Sequence, residues 1–301
     1  MTPTHMADLG TKLRVAVIIP TKGRVEVVRL LLARLREQTS QPDAIIIAAC
    51  DPRDAADLAD PSLQVVLGAP GIPHQRNAGL AALPASIDIV VFFDDDFIPS
   101  RYWIERTRQI FAEHLDVAAI TGKVLADGIK TAGLSWDEGI RIVQRADQSI
   151  SPDSFSILEN FSPYGCNMAF RRKTMGDMKF DERLVLYAWQ EDRDFGARVG
   201  KNGRMIRADA LWGVHLGIKR GRVSGTKLGY SQIVNPRYLV AKGTMSMKSA
   251  LRLAARNLAA NAVLSLRPEP YIDRAGRLRG NLLGLWDLVT GKWYPERAAD
   301  L

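Results

Sequence analysis

The chain has 301 residues, of which 47% are hydrophobic and 25% are charged, and its formal net charge is +8. These proportions exclude a disordered chain, and no apolar run reaches the roughly 18 residues that a membrane-spanning helix requires. The positive charge is confined to residues 219–301, which hold 15 Lys and Arg against 5 Asp and Glu, so that the rest of the chain has a net charge of −2.

The chain begins with a segment, residues 1–12, that lacks the apolar stretch of a secretory signal, so we expect a loose N-terminal tail. The two cysteines, Cys50 and Cys166, do not have the spacing of a zinc site and are expected to be buried free thiols. Both features predict a cytoplasmic protein.

Strands and helices alternate along the first part of the chain. Continuous apolar runs predict strands that are buried on both faces, and these cover residues 13–21, 42–50, 63–71 and 87–93. Helical spacing of apolar residues over 25–39 and 75–83 separates the strands. This alternation predicts an α/β fold with a mostly parallel, Rossmann-like sheet flanked by helices. Ligands bind such sheets at the carboxyl ends of the strands, beside a switch in strand order.

The second part of the chain is less regular. A helix is predicted over 100–114, with Ser100 as its N-cap. Residues 129–163 mix helix and loop signals. The other predicted elements are strands over 117–128, 164–175 and 208–217, a helix over 187–203 that ends at Gly203, and a long helix over 245–266.

Three consecutive carboxylates, Asp94, Asp95 and Asp96, follow the apolar strand "IVVFF". A buried strand holds the backbone rigidly, as a metal site requires, and carboxylate oxygens bind divalent cations together with substrate phosphates. The alternative is a solvated loop whose acids cap the next helix. His215, in "GVHLG", has glycine neighbours that permit close approach of a ligand, although a hydrogen-bonded structural histidine is the alternative.

A second acidic motif, "WQEDRDF", occupies residues 189–195. Glu191 and Asp192 lie near the start of the predicted helix, where the helix dipole favours carboxylates. By itself, this pattern is equally typical of charges that decorate a helix N-terminus.

Six motifs make the chain resemble the family-2 glycosyltransferases, which are inverting nucleotide-sugar enzymes of the GT-A fold. They are "VIIPTKGR", "HQRNAGL", "FFDDDF", "YGCNMAFRR", "YAWQEDRDF" and "GVHLG", in that order. The C-terminal part is similar to bacterial members that build surface polysaccharides. The resemblance implies a GT-A catalytic domain over 13–217, with a nucleotide-binding half over about 13–98 and an acceptor-binding half over about 99–217. A basic, mainly helical region over 218–301 follows.

The resemblance also implies a site for Mg²⁺ or Mn²⁺ and for a nucleotide-sugar donor, with a UDP-sugar as the expected donor. Asp96 would ligate the metal directly, with Asp94 and His215 as further ligands, and Asp94 or Asp95 would hold the ribose or a metal-bound water. Asp51 would accept a hydrogen bond from the base, although "AACDPRD" retains one acid where many members have two. The other implied donor contacts are Pro20, Thr21, Lys22, Arg24, Arg76 and Asn77.

Inverting transfer requires a base that deprotonates the acceptor hydroxyl during its attack. The resemblance implies Asp192 for this role, with Glu191 as the alternative. It places Gly165, Asn167 and Trp189 on the acceptor side. The expected function is transfer of a sugar to a saccharide or lipid-linked saccharide acceptor in polysaccharide biosynthesis.

The basic C-terminal part adds a second expectation. Lys248, Arg252 and Arg256 recur every four residues and therefore share one face of the 245–266 helix. An interfacial helix on the inner, anionic face of the cytoplasmic membrane fits this pattern. The alternative is a helix that packs on the catalytic domain with its basic face in water. The segment "KRGR", residues 219–222, could instead fold over the donor diphosphate.

Two other functions share some of these features. A metal-dependent nucleotidyltransferase also uses acids at strand ends, but "PTKGR" has a single glycine where that class carries a Gly-rich phosphate loop. A non-enzymatic nucleotide-binding module could use the basic tail to bind nucleic acid. The tail lacks the interleaved aromatic residues of a base-stacking platform and any DNA-binding motif, so we expect no nucleic-acid partner.

Overall fold

The protein is described by a computed structural model that covers residues 12–56, 58, 63–149, 156–159, 162–219 and 224–301. Residues 1–11 of the predicted tail and residues 220–222 of the "KRGR" segment lie outside this range. Both cysteines are free, Cys166 being buried as expected and Cys50 only partly buried.

Among the described residues, nine strands form one sheet. The strands are β1 (Val15–Thr21), β2 (Ala44–Ala49), β3 (Leu63–Leu67), β4 (Ile89–Phe93), β5 (Phe97–Pro99), β6 (Val117–Asp127), β7 (Ile157–Glu159), β8 (Asn167–Arg171) and β9 (Arg204–His215). Their order is β3-β2-β1-β4-β8-β6-β9-β5, and β7 pairs with β9.

Parallel pairing joins β3, β2, β1 and β4, and also joins β6 to β9. Strand β8 runs antiparallel between β4 and β6. Most paired residues are in parallel register, so the expected α/β fold with a mostly parallel sheet is confirmed. The chain moves from β1 to β2 and β3 on one side and then returns to β4 on the other. This switch places the crevice between the carboxyl ends of β1 and β4.

Helices cover both faces of the sheet. They are α1 (Val25–Arg36), α2 (Ile72–Ala81), α3 (Trp103–Glu113), α4 (Trp136–Ser149), α5 (Arg172–Met175), α6 (Glu191–Val199), α7 (Gly225–Lys242), α8 (Met247–Leu264) and α9 (Arg274–Thr290). Short 3₁₀ turns occupy Pro52–Ala55, Gly128–Lys130, Gly200–Asn202 and Pro295–Ala299.

The core follows from the alternation of side chains along each buried strand. On β1, Val15 and Val17 face one apolar cluster with Leu31 of α1, whereas Ala16 faces a second cluster with Phe195 of α6. Because successive residues of a strand point to opposite faces, a continuous apolar run is buried on both.

Two details of the predicted helices differ from the structure. Ser100 does not cap α3, whose N-cap is Tyr102. The Ser100 hydroxyl donates instead to Asp147 of α4, at 2.6 Å. The helix predicted over 187–203 begins later than expected, at Glu191. Its end agrees with the prediction, because the 3₁₀ turn that continues it is capped by Gly203.

The mainly helical C-terminal region is confirmed by α7, α8 and α9. Helices α7 and α9 cross at glycines, since a Cβ on Gly229 would lie 2.1 Å from the carbonyl oxygen of Arg277. Lys242, at the end of α7, contacts Asp194 of α6 at 2.7 Å and also pairs with Asp181. The C-terminal helices are thus joined by buried polar contacts to the part of the chain that precedes them. No helix within the described ranges has the length and apolarity needed to cross a membrane.

Candidate active site

Two carboxylates and an imidazole meet at the carboxyl end of β4. Asp94, Asp96 and His215 each offer one ligand atom, and these atoms lie within 4.8 Å of one another. Strand pairing explains the meeting, because β5 follows the acids directly and Phe97 lies opposite His215 of β9. The structure therefore brings together the three residues that the sequence proposed as metal ligands.

His215 is oriented by residues that the sequence analysis missed. Its Nδ1 atom lies 2.9 Å from Asp127, whose other carboxylate oxygen accepts a hydrogen bond from the Tyr164 hydroxyl at 2.9 Å. When Nδ1 carries the hydrogen, Nε2 is left to face Asp96, which is 3.4 Å away. Carboxylates orient metal-binding histidines in this way. The available sequence signal was an acid, Asp127, at the end of the predicted strand 117–128.

Opposing effects act on the pKa values of these groups. Burial by itself lowers the pKa of His215, but hydrogen bonds to Asp127 and Asp96 outweigh burial and raise this pKa to about 10. Burial by itself raises the pKa of Asp96, but His215 and Arg24 outweigh it and lower this pKa to about 2. A bound cation would compete with the proton for His215, because a metal binds the neutral imidazole.

Asp95 differs from its two neighbours in having both carboxylate oxygens bound by the protein. One accepts from Arg24 at 2.9 Å and the other from the Thr21 hydroxyl at 2.8 Å. Burial and the nearby Asp96 raise the pKa of Asp95 to about 7, against the opposing effects of Arg24 and Thr21. Asp95 therefore joins the loop after β1 to the end of β4, whereas Asp94 and Asp96 face His215.

The second acidic pair lies at the start of α6. Asp192 is partly exposed, and its carboxylate accepts hydrogen bonds from the backbone N–H groups of Gly165 at 2.9 Å and Arg193 at 2.7 Å. Burial raises the pKa of Asp192, although these two N–H groups and Arg76 oppose the rise. An accessible, oriented carboxylate with a raised pKa has the properties of a general base.

Glu191 is the more enclosed member of this pair. Its side chain is buried and one carboxylate oxygen is paired with Arg76, while the other has no hydrogen-bond partner among the described residues. Burial, with Asp192 and Asp94 nearby, raises the pKa of Glu191 to about 8 against the effect of Arg76. The geometry thus favours Asp192 over Glu191 as the group that meets an acceptor.

Arg76 connects the two acidic pairs. It is 1% exposed, and besides Glu191 its guanidinium contacts Asp94 at 3.1 Å and the carbonyl oxygen of Gly165 at 2.9 Å. An arginine stays charged even when buried, so these acids serve as its counterions. The structure places Arg76 beneath the site as a link between its two sides, with both terminal nitrogens bonded to protein groups.

The neighbouring residues of α2 also hold protein segments. The Asn77 side chain bonds the backbone N–H and carbonyl of Phe180, at 2.8 and 3.0 Å, and contacts Glu182 at 2.8 Å. Gln75, which the sequence analysis did not single out, donates to the carbonyl oxygens of Thr21 and Ala48 at 2.7 and 2.8 Å. Both residues therefore position strand ends and loops around the crevice.

The loops after β1 and β2 contain the remaining predicted donor contacts. Pro20 is buried within β1, whereas Lys22 is exposed at the crevice. Asp51 caps the 3₁₀ turn that follows β2 and pairs with Arg53. Asp54, another residue missed from sequence, is buried and accepts a hydrogen bond from the N–H of Gly23 at 2.6 Å, which ties the two loops together.

The predicted acceptor residues lie at different depths. Gly165 lies between the two acidic pairs, where a Cβ would be 3.2 Å from Arg76 and 3.3 Å from Glu191, so a larger residue would crowd this contact. Asn167 is fully buried in β8 and accepts from the Thr121 hydroxyl at 3.0 Å. Trp189 is partly exposed, and its backbone carbonyl accepts from Asn235 of α7 at 3.0 Å.

The segment before Asp192 has an unusual backbone. Leu186, Ala188 and Gln190 have positive φ angles of 62°, 50° and 76°. Such conformations cost a non-glycine residue about 1–3 kcal/mol and persist where surrounding contacts hold them, often at functional sites. Here, the N–H of Ile72 bonds the Leu186 carbonyl at 3.3 Å.

Comparisons with known proteins bear on the fold. No protein-family model matches the sequence, and no curated protein matches it at a significant level. Solved structures do match. A mannosyltransferase from Pyrobaculum calidifontis, in complex with GDP-Man and Mn²⁺, is 18% identical with a TM-score of 0.53, over 92% of this chain and 88% of that one.

A second similar structure is S. aureus TarS 1–349 in complex with UDP-GlcNAc. It is 16% identical with a TM-score of 0.54, over 95% of this chain and 83% of that one. A longer TarS chain gives a TM-score of 0.51 at 14% identity, over 86% of this chain and 46% of that one. The chain shares the fold of these proteins, which confirms the Rossmann-like α/β fold that was predicted from the sequence.

Proposed function

We propose that the protein is an inverting glycosyltransferase of family 2 that transfers a sugar from a nucleotide-diphosphate donor. The observation that carries the proposal is the convergence of ligand atoms from Asp94, Asp96 and His215 within 4.8 Å, at the switch point of the sheet. Ligand sites of open α/β sheets lie at this position. The partly exposed Asp192 lies on the other side of Gly165 and supplies the base that such a reaction needs.

The donor atoms of the cluster fit a divalent cation. Carboxylate oxygens suit Mg²⁺ and Mn²⁺, and an imidazole adds preference for a transition metal, so Mn²⁺ fits the mixed set better. Asp127 orients His215 for this purpose. A bound cation would neutralise charge on the diphosphate leaving group. The mannosyltransferase complex with GDP-Man and Mn²⁺ supports the choice of metal.

The donor is expected on the β1 and β4 side of the crevice. The loop after β1 presents the exposed Lys22, and Asp95 holds Arg24 and Thr21 in place beside it. We assign these residues, with Pro20 and Asp51, to the nucleotide and its phosphates. The complexes of TarS with UDP-GlcNAc and of the mannosyltransferase with GDP-Man support a nucleotide-diphosphate sugar, and we propose a UDP-sugar as the donor.

The acceptor is expected on the α6 side. In an inverting reaction, the acceptor hydroxyl attacks the anomeric carbon opposite the leaving group, and Asp192 takes its proton. Glu191, paired with Arg76, holds the start of α6 in place. Trp189, which is partly exposed beside Asp192, would stack on an acceptor sugar. We propose a saccharide or lipid-linked saccharide acceptor in polysaccharide biosynthesis.

The test is a screen of nucleotide-sugars for binding and for slow hydrolysis in the presence of Mn²⁺, with Asp96→Ala as the main variant. Wild type should bind one donor in a metal-dependent manner and release a nucleoside diphosphate. Asp96→Ala should weaken Mn²⁺ binding at least about 100-fold, because losing even an outer-sphere partner costs about 10- to 100-fold.

Asp177→Ala is the matched control, since Asp177 is an exposed acid after α5 and makes no contribution to the crevice. It should behave as wild type. Metal-independent donor binding that survives Asp96→Ala would contradict the proposal. Release of a sugar phosphate in place of a nucleoside diphosphate would indicate nucleotidyl transfer, because the bond between the two phosphates is then the one that breaks.

A further inference from the structure

The last two long helices carry an unusual set of exposed apolar side chains. On α8 and just after it, Leu251 is 62% exposed, Val263 66% and Leu266 84%, while on α9 Trp286 is 66% exposed and Val289 83%. Single exposed apolar residues are ordinary, but a group of them on adjacent helices marks a binding surface.

Basic residues accompany the apolar ones along α8. Lys248, Arg252 and Arg256 are exposed at intervals of four residues, and none of them forms an ion pair with any described residue. Each directly follows an exposed apolar residue, so the basic stripe runs beside an apolar stripe of Met247, Leu251 and Ala255. The two stripes together form an amphipathic surface.

Acidic residues are excluded from this surface. The sequence of α8 contains no Asp or Glu. The one acid of α9, Asp287, is 2% exposed and is bonded to Tyr230 and Arg297. The acids between the two helices are Glu269, which pairs with Arg274, and Asp273, which caps α9, so the surface keeps a positive excess.

The two helices are held together by a buried polar network. Asn261 of α8 contacts Asn281 of α9 at 2.8 Å and Gln232 of α7 at 2.9 Å. An open groove of about 550 Å³ lies between the end of α8 and α9, lined by Ser265, Ala275, Leu278, Arg279, Leu282 and Leu283. The groove joins the C-terminal end of α8 to α9, with Leu266 and Leu282 exposed beside it, and the network holds the two helices together.

We propose that this α8/α9 surface binds an anionic lipid bilayer and lies in its interface. Basic residues near an anionic leaflet each contribute on the order of 1 kcal/mol, and apolar side chains beside them enter the boundary of the acyl chains. Trp286 has the side chain that prefers this depth. The apolar stripe has no role in binding the phosphates of a nucleic acid. A second copy of the chain would bring the same uncompensated positive charge against itself.

The experiment is co-sedimentation of the full chain with phosphatidylcholine vesicles, with or without phosphatidylglycerol. Wild type should bind the anionic vesicles, bind the neutral ones weakly, and dissociate as salt increases. Reversing three charges with Lys248→Glu, Arg252→Glu and Arg256→Glu should lower the partition coefficient about 100-fold. The uncharged pair Leu251→Ser and Trp286→Ser should lower it about tenfold or more, because apolar burial is lost without a change in charge.

The matched control reverses three exposed lysines elsewhere, with Lys173→Glu, Lys179→Glu and Lys201→Glu. It changes net charge by the same amount and should retain vesicle binding. Equal loss in the control would overturn the proposal, as would absence of binding to anionic vesicles. Dimers that dissociate in the serine variants would show that a second copy covers the surface, and would overturn it too.

All variants are at exposed positions, and their thermal unfolding should match that of wild type. The vesicle assay uses no sugar donor. Its outcome is therefore independent of the proposed glycosyl transfer, and either proposal can fail without the other.

Discussion

The crevice contains two pairs of acids that differ in what the protein does with their charge. Asp94 and Asp96 face His215, with ligand atoms close enough to share a cation. Glu191 and Asp192 are instead held by protein donors, which are Arg76 for the first and backbone N–H groups for the second. Both pairs are carboxylates, but the groups that surround the two pairs are different.

This difference indicates how one crevice supports two kinds of chemistry. A cation site needs carboxylates whose oxygens converge, whereas a base needs one carboxylate that is oriented and reachable. Arg76 lies between the pairs and contacts Asp94 and Glu191, so each pair contributes a counterion to it. Variants that act on only one pair test whether the two roles are separate.

The largest expected effect is on the base. Asp192→Asn keeps the shape of the side chain but has a single accepting oxygen, so it keeps one of the two backbone N–H contacts and loses the proton acceptor; kcat should fall by about 10²- to 10⁴-fold. Mn²⁺ and donor binding should stay unchanged. Because a base acts only when deprotonated and burial raises the pKa of Asp192, wild-type kcat should decline with falling pH at a higher pH than an exposed Asp would give.

Measured pH profiles of kcat check this assignment, since the acid-side decline should be absent from Asp192→Asn. Glu191→Gln is the matched comparison, because it removes the neighbouring carboxylate and leaves Asp192 in place, so the acid-side decline of kcat should remain. Full glycosyl transfer by Asp192→Asn would contradict the assignment of Asp192 as the base. A loss of Mn²⁺ binding as large as the loss of kcat would show that the base and the cation site are not separate.

The next effect concerns the link between the pairs. Above about pH 8, where Glu191 is ionised beside Arg76, Arg76→Met leaves this buried carboxylate without its counterion, which should lower the free energy of unfolding by about 3–5 kcal/mol. Denaturant unfolding measures this change. Adding Glu191→Gln to Arg76→Met should recover part of the loss, because the uncompensated charge is removed. A fully additive double variant would mean that Arg76 and Glu191 are not coupled.

The smallest expected effect is on Mn²⁺ affinity, when the residue that orients His215 is changed. Asp127→Asn should weaken Mn²⁺ binding about 10- to 100-fold by releasing the orientation of His215. Calorimetric titration of Mn²⁺ in the absence of donor measures this directly. Asp116→Asn is the control, because Asp116 precedes β6 at its opposite end and, among the described residues, pairs with the surface residue Arg204. Equal affinity in both variants would show that Asp127 does not support the metal site.

Much of the fold was predictable because buried parallel strands leave a strong local signal. The runs ending at Thr21 and Phe93 are apolar without alternation, and both became strands with two buried faces. The grouping of Asp94, Asp96 and His215 was predicted through the family resemblance, and the sheet supplies its physical reason. The carboxyl ends of strands gather at one edge of a sheet, so polar residues at those ends meet.

Other residues of the site carried no comparable signal. Asp127 and Asp54 act through single long-range hydrogen bonds, to His215 and to the N–H of Gly23. The backbone of residues 186–190 also escaped prediction, because its left-handed conformations occur at Leu, Ala and Gln, which do not favour them. These contacts join segments that are far apart in sequence.

The sequence by itself determined which chemical features occur along the chain and in what order. They are apolar strands that end in acids, a histidine among glycines, and a basic C-terminal part. Only the tertiary structure decided how the three consecutive acids divide their roles, since Asp95 turns to Thr21 and Arg24 while Asp94 and Asp96 face His215. Only packing decided which apolar residues of α8 and α9 stay exposed and that a groove lies between the end of α8 and α9. Local pattern specifies which side chains are buried or polar, whereas the neighbour of each polar atom depends on contacts between distant segments.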